Sequence, residues 1–324
     1  MKILLIGDIM LGRLVNEALK TKPPEYPWGD TLPIFKNADL RICNLECVIS
    51  DIGEPFPREK VFHFRTDEKN IETLLVAKIN MVSCANNHAL DFGYEALLRM
   101  IKVLEEHGIN YAGIGINSYE AKKPAIYRVG SQKVGLIAFT DNQPDWEAKE
   151  NKPGLFYVPI NEKDKRAQYL FELIQKTRDD VNILIASTHW GSNWGYKPPK
   201  EHISFAHHLI DAGADIVFGH SPHVFRGIEI YKKKIILYST GNFIDDYAVD
   251  EIERNDESFI FLFETKANKI IHLFLYPTVI KHFQAFLAKE GRQKEIVSKI
   301  QNLCDRLKTQ THWNRKEKYL EVGL

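Results

Sequence analysis

Cysteine is scarce in this chain of 324 residues, and long apolar runs are missing. The four cysteines, Cys43, Cys47, Cys84 and Cys304, make no C-x-x-C pair, so neither a zinc ribbon nor a thioredoxin-like redox site is indicated. Free thiols of this kind suit a reducing compartment. No run approaches the roughly 18 apolar residues of a spanning helix. The opening MKILLIGD is apolar only as far as Gly7 and Asp8, too short for the core of a secretory leader. These absences lead us to expect a soluble, cytoplasmic protein without a membrane partner. Net charge is absent as well, with Lys+Arg and Asp+Glu at 43 each. A chain without a basic excess has no general footprint for nucleic acid, although a local basic pocket remains open.

What is present is enough apolar material for a sizeable core, 44% of residues, arranged in short β-rich runs that alternate with helical stretches. KILLIG, ADLRICNLE, INMVSCA, VNILIAST and ADIVFG read as strands, while YEALLRMIKVLEEHG, KDKRAQYLFELIQKT and HISFAHHLIDAG carry helical periodicity. The pattern predicts an α/β protein with covered sheets. Hairpin signals in VGSQKVGLIAFT, around KKK at 232–234, and at KAN make those sheets mixed. From about residue 291 the chain reads as a charged amphipathic helix followed by a polar tail. We expect one domain over residues 1–285, with residues 286–324 as a C-terminal helical extension packed on it. KTKPPEYPWGD and DNQPDWEAKENKPG are Pro-rich excursions of the length of active-site rim loops.

The strands end in ligand-type residues. Asp8 follows the first, Asn44 and Glu46 the second, and Asn86, Asn87 and His88 the third; His189 closes the fourth, and His220 and His223 the fifth. Each has an ordinary structural alternative: a helix cap for Asp8 or Asn87, an edge-strand position for Asn44 and Glu46, a hydrogen-bonded core imidazole for His189. The recurrence at five strand ends favours a shared site, because ligands of open α/β sheets bind beyond the carboxyl ends of the strands. Carboxylate, imidazole and amide oxygen together are a donor set for Zn, Mn or Fe, and their number suits two bridged ions.

The motifs GDIMLGR, NLE, ANNHALDFG, THWG, GHSPHV and YSTGNF resemble those of the CapA family, whose namesake is the poly-γ-glutamate capsule biosynthesis protein. In motif order that family is similar to the calcineurin-like metallophosphoesterases. The resemblance spans about residues 1–285. It implies a four-layer α/β/β/α sandwich of the metallo-dependent phosphatase type, with two divalent ions (Mn, Zn or Fe) between the sheet edges. By the same resemblance, Asp8 and His223 would serve the first ion, Glu46 would bridge, and Asn87, His189 and His220 would serve the second. His88 would stand beside the leaving group, oriented by Asp91, while a metal-activated water attacks phosphorus. Arg13, Arg65 and Asn242 are candidates for contacting substrate, and Trp190 and Trp194 for walling the pocket.

The chain departs from the phosphoesterase pattern in three places. Met10 stands where Asp-x-His is usual, Asn44-Leu45-Glu46 replaces Gly-Asp-x-x-Asp, and Pro222 lies between His220 and His223. A thioether is a poor ligand for a hard ion. The expected activity is metal-dependent hydrolysis of a phosphate ester or related anion, on a small molecule or a flexible anionic polymer. The alternative is a non-catalytic metal-binding accessory of poly-γ-glutamate synthesis or export.

Overall fold

The computed structural model describes residues 1–57 and 60–324. Alternation along the central strands builds the layers. In Lys2–Ile9, Ile3 and Leu5 face one core while Leu4 and Ile6 face another; in Ile183–His189, Ile183 and Ile185 share the first of these with Ile3, and Leu184 and Ala186 face a third. Successive side chains of a strand point to opposite faces, so a strand apolar at every position must be covered on both sides. Two sheets therefore pack face to face around the shared core, and helices cover the outer face of each. Arg13–Leu19, Ile71–Val76 and Gly93–Glu106 lie on one side, and Lys165–Arg178 and Lys200–Asp211 on the other. This is the four-layer α/β/β/α sandwich.

The larger sheet has the strand order Thr311–Asn314, Tyr319–Val322, Lys269–Lys281, Glu257–Lys266, Lys2–Ile9, Leu40–Leu45, Met81–Ser83, Asn110–Ala112. Asn242–Ile244 pairs beside Lys2–Ile9, and Gln284–Leu287 beside Lys269–Lys281. The smaller sheet runs Ile228–Tyr231, Lys234–Leu237, Ile216–His220, Ile183–His189, Gln132–Thr140, Ala125–Val129. Lys2–Ile9, Leu40–Leu45 and Met81–Ser83 are mutually parallel, as are Gln132–Thr140, Ile183–His189 and Ile216–His220. Each sheet thus presents its carboxyl strand ends along one edge.

One irregularity decides which way the first strand aims its aspartate. Ile6 pairs with Cys43 and Asp8 with Asn44, so Gly7 is an extra residue in the ladder. Without it the two-residue period would send Asp8 to the outer face with Leu4 and Ile6; the bulge turns it toward the other sheet. Glycine is required there because a Cβ at Gly7 would stand 1.9 Å from the Gly241 carbonyl oxygen.

The last 35 or so residues are part of this architecture. Ile296, Val297, Ile300, Leu303 and Cys304 of the helix Glu290–Asp305 enter the core between the sheets. The tail, read only as polar, is a hairpin whose Leu320 and Val322 are buried and whose second strand joins Lys269–Lys281. Lys299 of the helix donates to Glu257 at 2.6 Å and to the Tyr196 hydroxyl at 3.2 Å, and that hydroxyl donates to the Glu253 carbonyl. Among the described residues no helix is long and apolar enough to cross a membrane.

Candidate metal centre

The carboxyl ends of the two sheets meet. Asn44 Nδ2 donates to Asp8 Oδ1 at 2.8 Å and lies 3.4 Å from His189 Nδ1, joining the sheets through one amide. Asp8 Oδ1 is 3.4 Å from His220 Nδ1, and Glu46 Oε1 is 3.7 Å from His189 Nε2. His189 and His220 are register partners on adjacent parallel strands. His223 Nδ1 is held at 3.0 Å by Asn242 Oδ1. An amide oxygen only accepts, so the proton sits on Nδ1 and the Nε2 lone pair is left for a ligand.

Asp8, Glu46 and His189 each offer a ligand atom, all within 4.8 Å of one another. Asp8 Oδ2, both Glu46 oxygens and Asn87 Oδ1 are buried with no hydrogen-bond partner. Carboxylate charge in that state is strongly unfavourable unless a cation completes it. Two carboxylates, an amide oxygen and imidazoles are the donors a divalent ion takes, so these residues fit one. Burial opposes the Asp8 charge, but the hydrogen bond and charge of His220, with His189, outweigh it and hold the carboxyl below its ordinary value. Burial and then repulsion from Asp8 drive Glu46 well above its own. Burial pushes His189 down to about 3 and also lowers His223, which keeps both imidazoles in the neutral form a metal requires.

The CANNHALDFG segment divides its labour. Asn86 is a bracket: Nδ2 donates to the Leu45 carbonyl at 2.8 Å, and Oδ1 takes the His88 N–H at 3.0 Å. His88 Nδ1 lies 2.6 Å from Asp91 Oδ2, which also accepts the Phe64 N–H at 2.7 Å. The His88 ring stacks on Phe64 at 3.8 Å. Burial, with Lys60 nearby, depresses His88 well below its ordinary value; burial raises Asp91 to about 6 against the pull of Lys60. Lys60 donates to Asp91 Oδ1 and to the Asn87 carbonyl.

A cavity of about 470 Å³ opens over this cluster, walled by Lys60, Phe62, His88, Trp194, His223 and Tyr247. The remaining candidates fall on either side of that wall. Trp194 lies edge-on to His223 at 5.7 Å, whereas Trp190 is fully buried, stacked on His202. Arg13 sits behind the wall with its guanidinium over Phe62 at 4.5 Å, paired with Asp246 at 3.3 Å. Arg65 is turned away: it donates to the Gly53 carbonyl at 2.7 Å and covers Phe92. Asn242 positions His223 rather than lining the cavity. Sequence reasoning named Asn44 as a strand-end polar residue without giving it a role, and did not name Lys60. For Asn44 a signal existed, since it shares a face with Glu46 at period two; the sequence around Lys60 has no periodicity to place it.

Residues 2–247 match the sequence profile of a family described as bacterial capsule synthesis protein PGA_cap. A probable polyglutamine synthesis accessory protein of Mycobacterium tuberculosis (strain CDC 1551 / Oshkosh) is 33% identical over 283 residues, 76% of this chain and 74% of that one. The capsule biosynthesis protein CapA of Bacillus anthracis is 28% identical over 99% of this chain and 77% of its own. The PGA biosynthesis protein CapA of Bacillus subtilis (strain 168) is 28% identical over 74% of this chain and 62% of its own. Among solved structures, that of TT1561 from Thermus thermophilus aligns with a TM-score of 0.42 at 14% identity, covering 83% of this chain and 96% of that one.

Proposed function

The chain belongs to the bacterial capsule synthesis PGA_cap family, and from that premise we propose that it is a metal-dependent hydrolase of a phosphate ester or related anion. One observation carries the reading: buried, unpaired oxygens of Asp8, Glu46 and Asn87 collect at an edge that also holds His189, His220 and His223. Asp8, Glu46, Asn87, His189, His220 and His223 would hold two divalent ions. When bound, such ions supply the charge that brings a water and an anionic phosphorus centre together. Asn44 and Asn242 orient the ligands on either side, Asn44 through Asp8 and His189, Asn242 through His223. His88, locked by Asp91 and the Phe64 ring, faces the cavity and places a hydrogen-bonding nitrogen beside the leaving oxygen. Phe62, Trp194 and Tyr247 limit water on the open side, and the volume suits a small ester or the end of a flexible chain.

The relatives' names, a polyglutamine synthesis accessory protein and a capsule biosynthesis protein, favour a second reading: an accessory role in capsule polymer synthesis, in which the centre would hold metal and polymer without turnover. One experiment separates the two. The purified protein is analysed for bound metal, then assayed on p-nitrophenyl phosphate and its bis ester with added Mn, Zn or Fe. The hydrolase reading expects metal-dependent turnover that falls by roughly 100-fold or more in His88→Ala, with metal content unchanged. Bound metal with no turnover of either ester, together with polyglutamate binding, supports the accessory reading. A protein that neither carries nor is stabilised by these ions sinks both.

A further inference from the structure

The strand Lys2–Ile9 delivers one carboxylate to the centre and nothing more. Met10 is fully buried in the apolar cluster under the outer helices, and its sulfur accepts the Gly12 N–H at 3.1 Å. A soft thioether engaged there is a poor ligand for a hard ion. The short strand Asn242–Ile244 runs parallel alongside, with Asp8 opposite Asn242 and Ile9 opposite Ile244, and the Met10 N–H donates to the Ile244 carbonyl at 2.9 Å. The next residue, Asp245, therefore emerges beside the end of Lys2–Ile9, at the edge where Asp8 stands.

Asp245 is 4% exposed. One carboxylate oxygen takes the Tyr247 N–H at 3.1 Å; the other, Oδ2, is buried with no hydrogen-bond partner. Asp246 and then Asp8 repel its charge, the Asn242 side chain lies against the carboxylate, and Asp245 in turn adds to the repulsion felt by Glu46. Each of Asp8, Glu46 and Asp245 has at least one orphaned oxygen. The adjacent Asp246 differs: its Oδ2 takes the Leu14 N–H at 2.9 Å and pairs with Arg13, which balances its charge even though Oδ1 is unpaired.

We propose that Asp245 is a ligand of the metal centre, supplying from the neighbouring strand end the donor that Met10 withholds. The inference rests on the metal-binding reading above. It makes the first site rich in oxygen, through Asp8, Glu46 and Asp245, a set that favours Mn²⁺ over softer ions.

The test is isothermal titration of the metal-stripped full chain with Mn²⁺, with stoichiometry checked by elemental analysis, for the wild type, Asp245→Asn and Asp246→Asn. Asp245→Asn is expected to lose one ion or bind it at least about tenfold more weakly. Asp246→Asn is expected to keep the wild-type isotherm. An Asp245→Asn isotherm that matches wild type overturns the inference while leaving the metal-binding reading intact; a wild type that binds no Mn²⁺ overturns that reading and the inference with it. Anomalous diffraction from Mn²⁺-soaked wild-type crystals decides the point without any variant. An ion peak within about 2.5 Å of Asp245 Oδ2 supports the assignment, and a peak bound only by other residues refutes it.

Discussion

Replacing Glu46 with glutamine should change stability in opposite directions with and without metal. In the metal-free protein both Glu46 oxygens are buried and unpaired, beside Asp8. An uncompensated buried carboxylate costs on the order of 2 kcal/mol or more, and glutamine keeps the shape while removing the charge. With unfolding entropy of about 2.1 cal/mol/K per residue, a chain this long gains about 3 °C in Tm from 2 kcal/mol. Because burial raises the Glu46 carboxyl above its ordinary value of 4.5, the wild-type penalty is absent in acid and grows as pH rises past that value. The advantage of Glu46→Gln in chelator should grow with it. With Mn²⁺ at about 1,000 times its Kd, the wild type gains about 4 kcal/mol, or about 6 °C, while the variant stays near its chelator value. The two melting curves, read by scanning calorimetry at mildly alkaline pH, should exchange order. A variant that melts below wild type in chelator, or that keeps the full metal-induced rise, would refute the reasoning.

Two further outcomes follow from the scaffold. Gly7→Ala drives a methyl group to 1.9 Å from the Gly241 carbonyl oxygen, so it should cost about 3 kcal/mol or more in urea unfolding and lose Mn²⁺ binding; a variant with wild-type values would mean the bulge is pliable. His202 is buried under Trp190, and burial, with Arg226 nearby, lowers it from 6.5 to about 4. Neutral when folded and protonated when unfolded, it should erode stability as pH falls from 6.5 toward 4, by up to about 3 kcal/mol. His202→Phe should flatten that part of the urea-midpoint profile, and parallel profiles would count against it.

The sandwich was legible because its central strands are apolar at successive positions and are separated by helices, a pattern that only a doubly covered sheet satisfies. Asp8, Glu46, Asn87, His189, His220 and His223 stood out as candidates because each ends or follows a strand, and the structure brings Asp8, Glu46, His189 and His220 together at the shared edge. What escaped is what depends on pairing between distant segments. The Gly7 bulge exists only against Cys43 and Asn44. Asp245 gains its place from the register of Asn242–Ile244 on the first strand, which nothing in YSTGNFIDD announces. Arg65 looked suitable beside a helix start, yet a nearby carbonyl and the Phe92 ring hold it elsewhere. The tail hairpin was hidden because Leu320 and Val322 are two apolar residues in a charged run.

The contact from Lys299 to Tyr196 and Glu257 has a consequence for how the opening over the centre is shaped. Tyr196 belongs to the segment that carries Trp194, and Glu253 and Glu257 flank the stretch that carries Asn255, so both lips of the cleft are fastened to one late helix. The side chains proposed to hold ions, Asp8, Glu46, Asn87, His189, His220 and His223, all lie upstream of that helix. The candidate centre and its aperture are thus written in separate stretches of the chain, so substitutions near Lys299 should alter the width of the opening while leaving the polar cluster beneath it in place.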